Sequence, residues 1–116
     1  MNDQTTTIRE LKDVVADFVE ARDWRQFHDP KNLAMSIAIE SAELMEHFQW
    51  LRSDQVSPDA WSDETRQDIA DELADILCFA LSFANAADID IASAVRVKMA
   101  KNEQKYPKEQ FRGRFR

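Results

Sequence analysis

An all-α fold, a four-helix bundle, is what this 116-residue chain predicts, and three observations predict it. One Gly and three Pro leave little material for tight turns, while Ala, Leu, Glu, Asp, Lys and Arg dominate. Apolar residues recur at helical spacing in four segments, and each segment is bounded by capping or helix-stopping residues. With 44% hydrophobic and 32% charged residues, the composition is that of a soluble globular protein. The expectation is one domain over 1–116, with a polar amino-terminal stretch 1–6 and a basic tail 108–116. A chain of this length buries roughly two thirds of its unfolded surface.

The first helix is predicted from Thr7 to Arg22, with Ile8, Leu11, Val15, Phe18 and Val19 on its inner face. After a connector, Asp23-Trp-Arg-Gln-Phe-His28, the second opens at Asp29-Pro30, an acidic N-cap followed by proline at the first helical position. Its apolar stripe carries it to about Arg52, and Ser57-Pro58-Asp-Ala-Trp61 reads as a single turn in the connection. The third starts near Ser62, with Asp63 and Glu64 favourable in its first turn, and ends near Ala87. Its inner stripe is Ile69, Leu73, Ile76, Ala80 and Phe83. The fourth is capped by Asp90 and stops before Tyr106-Pro107. The tail that follows carries Lys108, Arg112, Arg114 and Arg116 and is expected to be mobile in isolation.

Four acids break this pattern. Glu40 interrupts the stripe Leu33, Ile37, Leu44, Phe48, Leu51, and Glu43 stands one turn on; Glu72 and Asp75 flank the stripe of the third helix. Acid-x-x-acid spacing puts two carboxylates on one helical face. A carboxylate withdrawn from water costs several kcal/mol unless something positive meets it. Two such pairs facing each other make an oxygen-rich cage for a hard cation such as Mg2+. Single acidic pairs are commonplace on helix surfaces, and Asp68, Asp71 and Glu46 are read as that ordinary case. His47 is read as a rim residue, because hard cations prefer oxygen. A ferritin-like di-iron site would need Glu-x-x-His on two helices; position 46 is Glu, and the third helix has no histidine.

The fourth helix carries an anomaly of opposite sign, its stripe Ile91, Val95 continuing as Lys98, Asn102 and Lys105. A snorkelling lysine is the structural alternative for Lys98. Acids on two helices and bases on another match a metal bound to a polyphosphate. Trp24 and Trp50, each near an element end and beside polar residues, are candidates to stack on a flat base, with His28 bonding its edge. Phe27 and Trp61 are read as packing residues.

The net charge of −7 argues against nonspecific nucleic-acid binding but leaves a nucleotide open, because a metal reverses the local sign. The single Cys78 is read as a small core residue of a protein from a reducing compartment. The amino terminus lacks an apolar leader, and no stretch approaches the about 20 apolar residues of a membrane span. Together these predict a cytoplasmic protein with no membrane contact.

With these residues in view, the chain resembles the all-α nucleoside triphosphate pyrophosphatases related to MazG, and within them the dCTP pyrophosphatase branch. The resemblance runs from Ile8 to Pro107. Its markers are Arg22-Asp-Trp-Arg-Gln-Phe-His28, Pro30-Lys-Asn-Leu33, Glu40-Ser-Ala-Glu43 through Trp50, Asp71-Glu-Leu-Ala-Asp75, and Lys98-Met-Ala-Lys-Asn102 through Pro107. It implies hydrolysis of a deoxynucleoside triphosphate between the α and β phosphorus atoms, with Mg2+, or Mn2+ in its place, on Glu40, Glu43, Glu72 and Asp75. The proton acceptor is left open between these acids and water on the metal. Trp24, Arg25, Gln26, Phe27 and His28 fall on the family's base-pocket segment, with Trp50 and Phe79 as further aromatic contacts and Lys98 and Asn102 on phosphate or sugar. Phe79 stands where a tyrosine is expected in eukaryotic-like members, and Val15 where a histidine can reach the nucleotide; both bear on base preference. The resemblance also implies a homotetramer built as a dimer of dimers, clearing surplus or noncanonical dNTPs. The rival readings are a broad-specificity or dUTP-type sibling enzyme and a non-enzymatic helical interaction module.

Overall fold

A computed structural model describes residues 1–114; Arg116 of the predicted tail lies outside the described residues. Among those residues the protein has five α-helices and no strand: α1 (Ile8–Ala21), α2 (Pro30–Glu46), α3 (Asp63–Ala87), α4 (Ile91–Lys105) and the short α5 (Lys108–Phe111). Single 3-10 turns at Arg25–Phe27, Ser53–Gln55 and Pro58–Ala60 fill the connections.

Helix starts follow the capping chemistry. Thr7 and Glu10 form a reciprocal box: the Thr7 hydroxyl accepts from the Glu10 amide, and the Glu10 carboxylate accepts from the Thr7 amide, both at 3.1 Å. Asp29 accepts from the Asn32 amide at 2.8 Å, Ser62 from Thr65 at 3.1 Å and Asp90 from Ser93 at 2.9 Å. Helix α2 ends at Glu46, short of the predicted Arg52. Beyond it the amides of His47 and Phe48 donate three residues back, to Leu44 and Met45, so the chain tightens into turns while its apolar pattern continues. The tail opens with α5, whose Phe111 packs edge-on against Tyr106 at 5.2 Å.

Helix α2 runs along α3, and α1 packs against α3; α4 packs along none of them. It leaves α3 at 102°. Asp88 makes the corner, adopting a left-handed conformation (φ 54°, ψ 49°) that lets the Ile89 amide donate to the Ala84 carbonyl at 2.9 Å. The buried Lys12 pins this corner to α1: its ammonium donates to the Ile89 carbonyl at 2.9 Å, and Asn85 donates to the Lys12 carbonyl at 3.0 Å. The protomer is thus three packed helices with a fourth thrown outward, rather than a closed four-helix bundle. Its radius of gyration, 17.2 Å, exceeds the about 13 Å expected of a compact chain this long.

The apolar core is small: Leu33 from α2 with Ile69, Leu81 and Ala84 from α3. Several residues predicted to face inward are exposed, including Phe18, Leu51 and Leu73, the last at 58%. Cys78, predicted as core, is exposed too. Periodicity identified apolar faces correctly but could not say which of them another part of the same protomer covers. Among the described residues, no single helix is long and apolar enough to cross a membrane.

Candidate active site

The α2–α3 contact brings Glu40, Glu43 and Glu72 together, with one carboxylate oxygen from each lying within 4.8 Å of the others. All three are half-buried. Asp75, one turn beyond Glu72 and more exposed, acts on both Glu40 and Glu72 through its charge. Glu40 is held above the ordinary carboxyl value of 4.5, first by loss of solvation, then by a hydrogen bond with Glu43, then by the charges of Glu43, Asp75 and Glu72. Glu72 is raised for the same leading reasons, opposed only by His47, whose Nε2 stands 3.9 Å from a Glu72 oxygen.

These residues fit a divalent cation. Among the described residues, three buried side-chain polar atoms have no hydrogen-bond partner, and two of them, Glu40 Oε2 and Glu72 Oε2, belong to this cluster. Desolvated carboxylates that repel one another and lack donors are what a hard cation satisfies.

The third unpartnered atom is His28 Nδ1, and it belongs to a neighbouring feature. A cavity of about 440 Å³ opens between α1, the 3-10 turn and the C-terminal half of α3, walled by Ala16, Val19, Pro30 and Ala86 and given polarity by His28, Ser82, Asn85 and Arg25. Trp24, His28 and Phe79 form a row beside it, with ring separations of 6.5 Å and 6.4 Å, and Phe18 meets Trp24 edge-on at 5.7 Å. The two features share one face of α3: Glu72, Asp75, Phe79, Ser82 and Ala86 follow one another at spacings of three and four.

The other predicted site residues are distributed unevenly. Arg25 lines the cavity and pairs with Glu20 at 3.1 Å, both side chains largely in solvent. Gln26 turns back to the Asp23 carbonyl at 3.0 Å. Phe27 has an exposed ring, and its carbonyl accepts from Asn32 at 3.1 Å. Trp50 is 87% exposed and outside the aromatic row. Lys98 and Asn102 ride on α4: Lys98 is exposed and is not among the groups acting on Glu40 or Glu72, and Asn102 donates to Met99 Sδ of its own helix at 3.7 Å. Trp61 packs on Phe48 at 6.0 Å with Arg66 over its ring, as its reading as a packing residue expects. Sequence reasoning missed Ser82 and Asn85. The three-four spacing beyond Phe79 was the available signal for Ser82; the approach of α1 that closes the cavity has no local signature.

Helices joined by an acid cluster beside an aromatic-flanked cavity define the class: an all-α protein whose clustered carboxylates could hold a divalent cation. The chain belongs to the MazG-like family, whose model matches residues 35–114. It is 37% identical over 107 residues to dCTP pyrophosphatase 1 of Bos taurus, covering 92% of this chain and 63% of that protein. To the Homo sapiens protein of the same name it is 36% identical over 101 residues, covering 87% and 59%. The chain thus spans about three fifths of the length of these curated relatives. Among solved structures it is similar to a pyrophosphatase from Archaeoglobus fulgidus, with a TM-score of 0.75 and 40% identity over 92% of this chain and 98% of that one.

Proposed function

We propose that this protein is a Mg2+-dependent nucleoside triphosphate pyrophosphatase that converts dNTPs, with dCTP or a modified dCTP favoured, to the monophosphate and pyrophosphate. The observation that carries the reading is the shared face of α3, which sets an acid cage and an aromatic-flanked cavity one after the other, as a triphosphate and its base require. The names of the relatives point to the same chemistry.

Glu40, Glu43, Glu72 and Asp75 would hold Mg2+, which neutralises triphosphate charge and activates a phosphorus atom towards water. One of these acids, or water held by the metal, would take the proton of the attacking water. Trp24 and Phe79 flank the base, His28 Nδ1 bonds its edge, and the half-buried cage limits competing water.

An oligomer, a tetramer on the family resemblance, is part of the proposal. It is supported by the small core and by the exposed Leu73, Leu77, Val95, Val97 and Met99. In such an assembly α4 delivers Lys98 and Asn102 to phosphates across the protomer boundary rather than within it. The cellular role is nucleotide-pool sanitation in the cytoplasm. A broader or dUTP-type preference is the second reading, favoured by Phe79, which offers no hydroxyl to the base.

A panel of dNTPs, NTPs and modified dCTPs with Mg2+, followed for nucleotide products and pyrophosphate separately, tests the reading. Monophosphate with pyrophosphate, fastest for a cytosine nucleotide, is expected. The same products from another base move the specificity; diphosphate with orthophosphate refutes α–β cleavage; no turnover leaves a binding module.

A further inference from the structure

We infer that Ser82 is a specificity-determining residue that hydrogen-bonds the edge of the nucleobase, opposite the contact made by His28. The inference deepens the pyrophosphatase reading and rests on it for the identity of the ligand.

Ser82 is 7% exposed and lines the cavity from α3, whereas His28 lines it from the connector before α2. Of the other polar lining groups, Asn85 already donates to the Lys12 carbonyl and Arg25 is paired with Glu20 in solvent, and the remaining walls are Ala16, Val19, Pro30 and Ala86. A serine in this place needs a reason. It sits inside a helix among Ala80, Ala84, Ala86 and Ala87, where alanine favours the helix more and carries no hydroxyl to desolvate. The ordinary outlet for a helical serine is the carbonyl one turn back, and Ser41 takes it, donating to Ile37 at 2.8 Å. Ser82 makes no such bond among the described residues, which leaves its hydroxyl to the cavity.

Position along the helix completes the argument. Ser82 lies on the same face as Asp75 and two turns beyond it, roughly 10 Å at the helical rise. Phe79 stands between them. A nucleotide with its phosphates at the acid cage therefore carries its sugar past Phe79 and its base to the level of Ser82. The hydroxyl donates or accepts as the base requires, and with the unpartnered His28 Nδ1 it gives two polar contacts on different walls. Sites that bond a substrate's polar edge discriminate strongly against analogues lacking it, because their own groups are otherwise left unpaired.

The test compares the full chain with its Ser82→Ala variant, a substitution that keeps the helix. Calorimetry measures binding of dCMP and of 2-deoxyribose 5-phosphate with Mg2+ present, and steady-state kinetics follow dCTP. Loss of one neutral hydrogen bond weakens dCMP roughly 3- to 10-fold. The sugar phosphate is expected to bind unchanged, and KM to rise while kcat stays near its original value. Equal dCMP affinity in both proteins overturns the inference, as does a wild-type protein that binds dCMP no better than the sugar phosphate. If no nucleotide is cleaved at the α–β bond yet dCMP binding still depends on Ser82, the enzymatic reading falls and the base contact stands. If cleavage proceeds and binding ignores Ser82, the reverse holds.

Discussion

Glu40 and Glu72 are the residues at which sequence and electrostatics meet most directly. Each is raised above its ordinary carboxyl value, first by lost solvation and then by neighbouring acids. A folded-state pKa above the unfolded one contributes stability that is full below the unfolded value and lost as pH rises through the folded value. The metal-free protein is therefore expected to lose thermal stability as pH climbs from about 4.5 through the raised values, with Mg2+ restoring it. Glu40→Gln removes one of the repelling charges. The expected result is a shallower stability profile without metal, a protein as stable or more so near neutral pH, and no Mg2+-dependent pyrophosphate release; Asp75→Asn loses turnover likewise. Differential scanning fluorimetry across pH and a coupled pyrophosphate assay measure the two halves, and retained turnover in both variants would remove these acids from the metal site. These positions were legible because each edges an apolar stripe, and a charge in that setting needs a partner. Ser82 offered only its three-four spacing beyond Phe79, a signal without meaning until the opposite wall of the cavity is known.

At the level of elements, the helix starts were legible because capping is local. Thr7, Asp29 with Pro30, Ser62 and Asp90 each announce a helix within a turn of where it begins. Ends were less so: α2 stops at Glu46 although apolar residues continue through Leu51, because hydrophobic spacing does not distinguish a helix from successive tight turns. The corner between α3 and α4 was invisible as a corner, since it depends on Lys12, far away in sequence. Replacing Lys12 by Met keeps the buried stem and removes the donor, leaving the Ile89 carbonyl unsatisfied at a cost of about 1–3 kcal/mol. Urea unfolding gives the loss, and faster amide exchange at Ile89 and Ala94 would locate it at the corner. An unchanged midpoint would mean that the bond contributes nothing to holding α4.

For the whole molecule, the all-α class followed from composition and period, but the relation of α4 to the rest did not. A sequence records that Val95, Val97 and Met99 are apolar; it does not record whether their cover comes from the same copy of the chain. The structure leaves them exposed, together with Leu73 and Leu77 on α3. If a second copy covers this surface, Leu73→Asp places a charge in the contact and converts the assembly to smaller species, read by light scattering coupled to size exclusion, with turnover falling in step. A monomeric wild-type protein would dispose of the assembly. One property of α3 is independent of that outcome. A helix is a screw, so every residue added advances the chain by about 1.5 Å and rotates it by about 100°. With Asp75 and Ser82 on one such screw, an inserted residue between them would swing the whole cavity wall out of line with the acids. Substitution past Phe79 leaves the thread untouched. On the proposed reading, selectivity can change by exchanging side chains along this one helix, while its length and pitch keep cavity and acids in register.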